Sequence, residues 1–198
     1  MFHFIEKGGP IMWPLLLTSV VSLSVVIERL WFIASVASRR QPQVVEGMLA
    51  QVEQGNIPAA IKAGETSPDF VAATIVYGLQ QRDRSLSNAL LRAANHHLKR
   101  FNQGLSVLDT VITLAPLLGL LGTVTGMIRA FGLLGGRELD APTVITGGIA
   151  EALIATAFGL AIAVLALIPF NFLNSRLEEA RHEIEDAATH LELLLKLK

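Results

Sequence analysis

Three long apolar stretches restrict what this chain of 198 residues can fold into. Residues 8–27 and 110–128 contain no charged side chain. Residues 141–175 contain one, that of Glu151. A helix of about 20 apolar residues crosses the roughly 30 Å of hydrocarbon in a bilayer, so each stretch is long enough to span a membrane. The predicted spanning helices are 11–36, 106–131 and 143–172.

The composition agrees with a membrane protein. Hydrophobic residues make up 52% of the chain and charged residues 17%, which is too apolar for an ordinary soluble domain of this length. The net charge of −1 gives no basic field for nucleic acid, and the absence of cysteine excludes a thiolate metal site. His96 and His97 are adjacent, so on a helix they cannot share a metal. We predict an all-α integral membrane protein with no cofactor, metal or nucleic-acid partner.

The basic residues predict the orientation of the spans. Segment 37–104 carries eight Lys or Arg residues and segment 173–198 carries four, whereas the N-terminus and loop 132–142 carry one each. Lys and Arg accumulate on the cytoplasmic side of membrane proteins, so the two basic segments are placed there. The predicted layout is a short periplasmic N-terminus (1–10), a first span (11–36), a cytoplasmic helical domain (37–105), a second span (106–131), a periplasmic loop (132–142), a third span (143–172) and a cytoplasmic C-terminal helix (173–198).

The first span ends in charged residues. The sequence SVAS at 35–38 is similar to a signal-peptide cleavage site, but the apolar run is long and Arg39 and Arg40 follow it, so we expect a retained helix. Glu28 and Arg29 are neighbours on this helix and cannot pair with each other. We expect Arg29 to extend to the cytoplasmic membrane interface, and we interpret both residues as interface anchors.

Helical patterns continue in both cytoplasmic segments. In the first, we expect Ser67 to cap a helix, and a later helix to run on into the second span. In the second, Leu177, Ile184 and Leu191 recur at a spacing of seven over about three repeats. Two interpretations of this tail stay open: an amphipathic helix packed on the cytoplasmic domain of its own chain, or a helix packed against copies of itself.

Small residues line the second and third spans. Because hydrophobic burial contributes little to helix association in lipid, helices approach each other there through small residues. A proline inside the second span removes one helical hydrogen bond and predicts a kink. The predicted packing positions are Gly119, Gly122, Gly126 and Pro116 on the second span, and Ala152, Gly159 and Ala163 on the third.

A few polar groups lie within these apolar helices. Glu151 is an intramembrane carboxylate, which is costly and indicates a functional site; the alternative is a structural carboxyl that is protonated or paired with a neighbouring subunit. Thr123 and Thr156 are expected at similar depth on antiparallel helices and could form a polar layer. A threonine hydroxyl also commonly bonds a carbonyl of its own helix, which is the alternative for each.

The motifs resemble those of a known family. The sequence LAPLLGLLGTVTGMIRAF, followed across a short loop by GGIAEALIATAFGLAIAV and PFNF, is similar to the MotA/TolQ/ExbB proton-channel family. The three spans and the residues "ER" at 28–29 are closest to its ExbB/TolQ branch. Between the ExbB-type role in energised outer-membrane transport and the TolQ-type role in envelope maintenance, no residue discriminates.

The resemblance implies a homopentameric ring in the bacterial inner membrane that surrounds a dimer of an ExbD/TolR-like single-span partner. It also implies that the proton-motive force drives this partner, with a TonB/TolA-like protein as energy transducer. By motif, Thr123, Thr156 and Glu151 line or border the proton path in such a ring. Glu151 and Thr156 are about 140° apart around an ideal helix, so the two side chains do not share a single pore-lining stripe.

Other functional classes receive less support. An intramembrane enzyme needs a nucleophile with a base or an acidic pair, and the apolar stretches 8–27, 110–128 and 141–175 hold one glutamate and no histidine. We therefore predict no enzymatic activity. A multispan scaffold, or a transporter subunit without motor activity, stays open as the alternative, because small-residue stripes serve any packed bundle.

Overall fold

The computed structural model describes residues 8–132 and 141–196, and within these ranges it contains helices and no strand. Most of the predicted periplasmic loop 132–142 and most of the predicted N-terminus 1–10 lie outside the described residues. The helices are α1 (Met12–Ala37), α2 (Pro42–Glu53), α3 (Ile57–Glu65), α4 (Phe70–Gln80), α5 (Arg82–Asn102), α6 (Leu105–Gly132) and α7 (Ala141–Lys196).

Three helical stretches of the described residues are long and apolar enough to cross a membrane. They contain α1, α6 and the apolar part of α7. The prediction of an all-α membrane protein with three spanning helices is therefore confirmed. The third apolar stretch and the tail form one helix of 56 residues, which runs through Pro169 without interruption.

The chain divides into two compact units. The first unit combines Met1–Glu28 with Gly104–Phe172, and the second combines Arg29–Gln103 with Leu173–Lys198. In the first unit, Met12 and Leu15 of α1 are buried in one apolar cluster with Ala115 of α6 and Ala163 of α7. The apolar residues that remain exposed on these helices are suited to lipid.

The second unit has a conventional hydrophobic core. Met48, Ile75 and Leu79 are at most 1% exposed and come from α2 and α4. Ile184 and Leu191 from the end of α7 are buried in the same cluster. Of the two interpretations of the tail, the structure therefore supports packing on the helices of its own chain, since Ile184 and Leu191 of the heptad pattern lie in that core.

Two local expectations for the second unit were wrong. Ser67 is not the N-cap of α4; Asp69 is, because its Oδ1 accepts a hydrogen bond from the Val71 N–H at 2.8 Å. The Ser67 hydroxyl instead donates to Oε1 of Gln41 at 2.8 Å. The expected continuous helix into the second span is interrupted after α5, where Gly104 adopts a φ of +78° that favours glycine.

Candidate functional site

The contact between α6 and α7 consists of small residues whose backbones nearly touch. A Cβ atom added to Gly159 would lie 2.5 Å from the Ala115 carbonyl oxygen and 3.0 Å from Cα of Gly119. One added to Gly119 would lie 3.0 Å from Cα of Thr156. Backbone atoms cannot rotate away as side chains do, so these glycines set the separation of the two helices.

The same contact continues toward the far end of α6. Gly122 faces Ala155, and Gly126 faces Ala152 and the Gly148 carbonyl. Ala155 is fully buried, yet the sequence pattern did not single it out. The two helices therefore meet along three successive glycines of α6, which is the close approach that small residues permit in lipid.

The remaining predicted packing positions lie on the same helices. Ala163 is buried with the start of α1. Pro116 lies inside α6, which continues as one helix from Leu105 to Gly132. Because proline has no N–H, the Ile112 carbonyl lacks its usual helical donor.

Thr156 forms a hydrogen bond between the two helices. Its Oγ1 donates to the Gly119 carbonyl oxygen at 3.0 Å. This hydroxyl is partly buried beside the Gly and Ala residues of the close contact. It is therefore a polar group placed inside the helix contact, and it does not bond back to its own helix.

Thr123 lies elsewhere on α6. Its Oγ1 donates to the Leu120 carbonyl of its own helix at 2.6 Å. The residue lines a shallow open groove with Val124, Met127 and Phe131. Within one chain the hydroxyls of Thr123 and Thr156 therefore bond separate carbonyls, and the structure does not bring them together.

Glu151 pairs with Arg129 of α6. The Glu151 Oε1 and Arg129 Nη1 atoms are 2.8 Å apart, with the two side chains 21% and 48% exposed. Gly9 packs on the carboxylate so closely that a Cβ there would overlap Oε1. Glu151 and Thr156 therefore both bond α6 in spite of their angular offset, because the long Arg129 side chain reaches round to the carboxylate.

The sequence patterns identified neither Arg129 nor Gly9 as part of this site. A signal existed for Arg129, since it is the only basic residue in the described part of the first unit. It also precedes Glu151 by 22 positions on a neighbouring helix. No comparable signal marks Gly9, whose place depends on how the N-terminal segment packs.

The two predicted anchor residues belong to different units. Glu28 is exposed at the end of the first unit's α1 segment. Arg29 is 6% exposed, and its Nη1 donates to the Arg100 carbonyl oxygen at 2.9 Å. Its guanidinium lies 4.9 Å from the ring centroid of Phe32. Arg29 therefore anchors α1 to α5 through a partly buried hydrogen bond.

The histidine pair lies on α5 in the second unit. Burial, followed by the nearby charges of His96 and Arg100, lowers the pKa of His97 and favours its neutral form in the folded chain. Among the described residues, no group of three or more His, Cys, Asp or Glu side chains could hold a metal ion.

Comparison with known proteins places these features in a family. Residues 65–186 match the model of the MotA/TolQ/ExbB proton channel family. The biopolymer transport protein ExbB-like 1 of Synechocystis sp. is 35% identical over 196 residues, which cover 96% of this chain and 77% of that protein. ExbB-like 3 of the same organism is 31% identical over 198 residues, covering 96% and 92%.

A TolQ protein matches over a shorter range. The Tol-Pal system protein TolQ of Haemophilus influenzae is 39% identical over 88 residues, which cover 44% of this chain and 39% of that protein. The two long matches cover 96% of this chain, and the family model covers α6 and most of α7. This multi-pass membrane protein belongs to the MotA/TolQ/ExbB proton channel family.

Proposed function

We propose that this chain is the channel-forming stator subunit of a proton-driven motor in the bacterial inner membrane. Five copies form a ring around a dimer of an ExbD/TolR-like single-span partner. The proton-motive force moves that partner, which acts with a TonB/TolA-like transducer on the cell envelope. The family match and relatives named ExbB and TolQ support this role.

The observation that carries the proposal is the Thr156 hydroxyl inside the smooth contact between α6 and α7. Each elementary charge that crosses the membrane supplies about 2.3 kcal/mol per 100 mV, which repeated steps convert into movement. In this proposal Thr156, Thr123 and Glu151 border the path along which the proton passes.

The proton carrier itself belongs to the partner in this mechanism. Residues 110–128 and 141–175 hold one carboxylate and no histidine, which is too few titratable groups for a continuous relay. The charge distribution supports a periplasmic N-terminus and loop 132–142, with segments 37–105 and 173–198 in the cytoplasm. Protons would then enter near the end of α6 that carries Arg129.

Native mass spectrometry of the detergent-purified complex tests the assembly. With the single-span partner co-expressed, we expect five copies of this chain and two of the partner. A monomer or dimer that takes up no partner would overturn the motor and favour a scaffold.

A Thr156→Val substitution tests whether Thr156 borders the proton path. Valine keeps the size of the side chain but removes the hydroxyl that bonds Gly119, so we expect the complex to assemble and proton-driven function to be lost. Thr125→Val is the matched comparison, because the Thr125 hydroxyl bonds the Leu121 carbonyl of its own helix at 3.0 Å. Proton flux into proteoliposomes is the measurement, and normal flux in Thr156→Val would remove Thr156 from the path.

A further inference from the structure

Three separate segments of the first unit meet at the carboxylate of Glu151. One carries Glu151 itself, and the other two contribute Arg129 and Gly9. Arg129 lies three residues before the end of α6, and Glu151 lies on α7. Their side chains are 2.8 Å apart, and Gly9 closes the site where a larger residue would overlap Oε1. The φ of Gly9, +72°, is also one that favours glycine.

This contact is important because the described part of the first unit has few charged side chains. In the described residues 8–28, 104–132 and 141–172, Arg129 is the only basic side chain. Its guanidinium binds the one carboxylate of the predicted third span. A carboxylate within a membrane is costly unless a charge or hydrogen-bond donors compensate it. Arg129 supplies that compensation within the same chain.

The pair also fixes the place of the carboxylate. A glutamate has three rotatable side-chain bonds, and here one oxygen is held by Nη1 of Arg129 while Gly9 limits movement on another side. The carboxylate of Glu151 is thus confined near the end of α6. In the proposed orientation this is the end at which protons enter.

We propose that Arg129 is a positioning residue of the proton path, which holds the Glu151 carboxylate in place at the end of α6 where protons enter on their way to the partner's carrier. Arg129 does not carry protons itself, and Gly9 provides the space the carboxylate occupies. This assignment rests on the proposed channel function and adds the residue on which the role of Glu151 depends.

Proton flux through proteoliposomes that contain the ring and its single-span partner tests the assignment. We expect Arg129→Gln to assemble normally by native mass and to lower the flux at least tenfold. Arg129→Lys retains a positive charge at this position, so it should keep at least half of the wild-type flux. An Arg129→Gln flux within twofold of wild type would overturn the proposal.

The double variant Arg129→Gln with Glu151→Gln distinguishes two roles of Arg129. One is to hold Glu151 in place for proton conduction, and the other is only to neutralise its charge in the folded protein. The double variant removes both charges and leaves no unpaired carboxylate, so it should assemble but conduct as poorly as Arg129→Gln alone. Recovery of flux in this variant would show that the pair only stabilises the fold and would overturn the proposal.

Gly9→Ala provides an independent test that leaves both charged residues unchanged. The added Cβ would displace the carboxylate from Arg129, so we expect a severalfold loss of flux. Gly147→Ala is the matched control, because a Cβ there meets nothing within 4 Å, and its flux should be unchanged. Wild-type flux in Gly9→Ala would contradict the assignment. A wild-type complex that conducts no protons at all would instead overturn the proposed channel function, and this assignment with it.

Discussion

Asp69 is a buried charged residue of the second unit. Its side chain is fully buried and forms an ion pair with Nη1 of Arg40. It also accepts hydrogen bonds from the backbone N–H groups of Gln41, at 2.6 Å, and Val71, at 2.8 Å. One carboxylate thereby caps α4 and fixes the connection between α1 and α2.

An Asp69→Ala substitution should strongly destabilise the second unit. It leaves the backbone N–H groups of Gln41 and Val71 without their acceptor, while Arg40 keeps Glu183, 3.0 Å from its Nη2, as a partner. Each buried donor left without an acceptor costs about 1–3 kcal/mol. Thermal unfolding of the detergent-solubilised protein, followed by circular dichroism, measures the effect. Asp83→Asn is the comparison, since the Asp83 side chain is 90% exposed and 3.6 Å from Arg82. Equal melting temperatures for the two variants would contradict this interpretation.

These residues also indicate where sequence reasoning reached its limit. Ser67 and Asp69 are both good caps two positions apart, and the choice between them depends on Arg40, which is 29 positions earlier. The partner of Arg29 is a main-chain carbonyl 71 positions away, which no side-chain pattern encodes. The local sequence predicted that α4 needs an N-cap and that Arg29 is an anchor. Tertiary contacts determine which residue caps the helix and which atom Arg29 bonds.

At the scale of elements, the small-residue pattern predicted that α6 and α7 pack closely together. It predicted less completely which residues of α7 face the glycines of α6. Gly119, Gly122 and Gly126 do face α7. On α7, however, Gly148 and Ala155 are also at the contact, and both were missed. Small residues are so frequent in this helix that several stripes fit the sequence, and only packing against α6 selects among them.

A Gly159→Ala substitution should force the two helices apart. Its Cβ would lie 2.5 Å from the Ala115 carbonyl oxygen, and the obstacle is backbone that cannot rotate away. Overpacking of this kind costs about 1–3 kcal/mol, which opposes the gain of about 1 kcal/mol in helix propensity of alanine over glycine. We expect a lower melting temperature of the purified protein.

Gly147→Ala on the same helix is the matched control for this prediction. A Cβ there meets no atom within 4 Å, so the propensity gain is unopposed and the melting temperature should stay the same or rise. If both substitutions raised the melting temperature equally, the α6 and α7 backbones would be further apart than described.

At the scale of the whole molecule, both units are built from segments that are distant in sequence. The second unit takes α2 to α5 from the middle of the chain and the end of α7 from its C-terminus. The heptad spacing of the tail predicted an apolar stripe but not its partner, because the same stripe suits a coiled coil and a helix packed on a domain. The buried side chains of Ile184 and Leu191 identify the partner as the chain's own core.

A Leu191→Ala substitution distinguishes these two roles of the tail in solution. Leu191 is fully buried in the core of the second unit, and truncation of such a leucine costs about 2–5 kcal/mol. We expect a clear loss of thermal stability with no change in the number of copies measured by native mass spectrometry. Leu193→Ala, at a position 55% exposed, should change neither quantity. A Leu191→Ala protein that kept its melting temperature but formed smaller assemblies would mean that the tail packs against its copies.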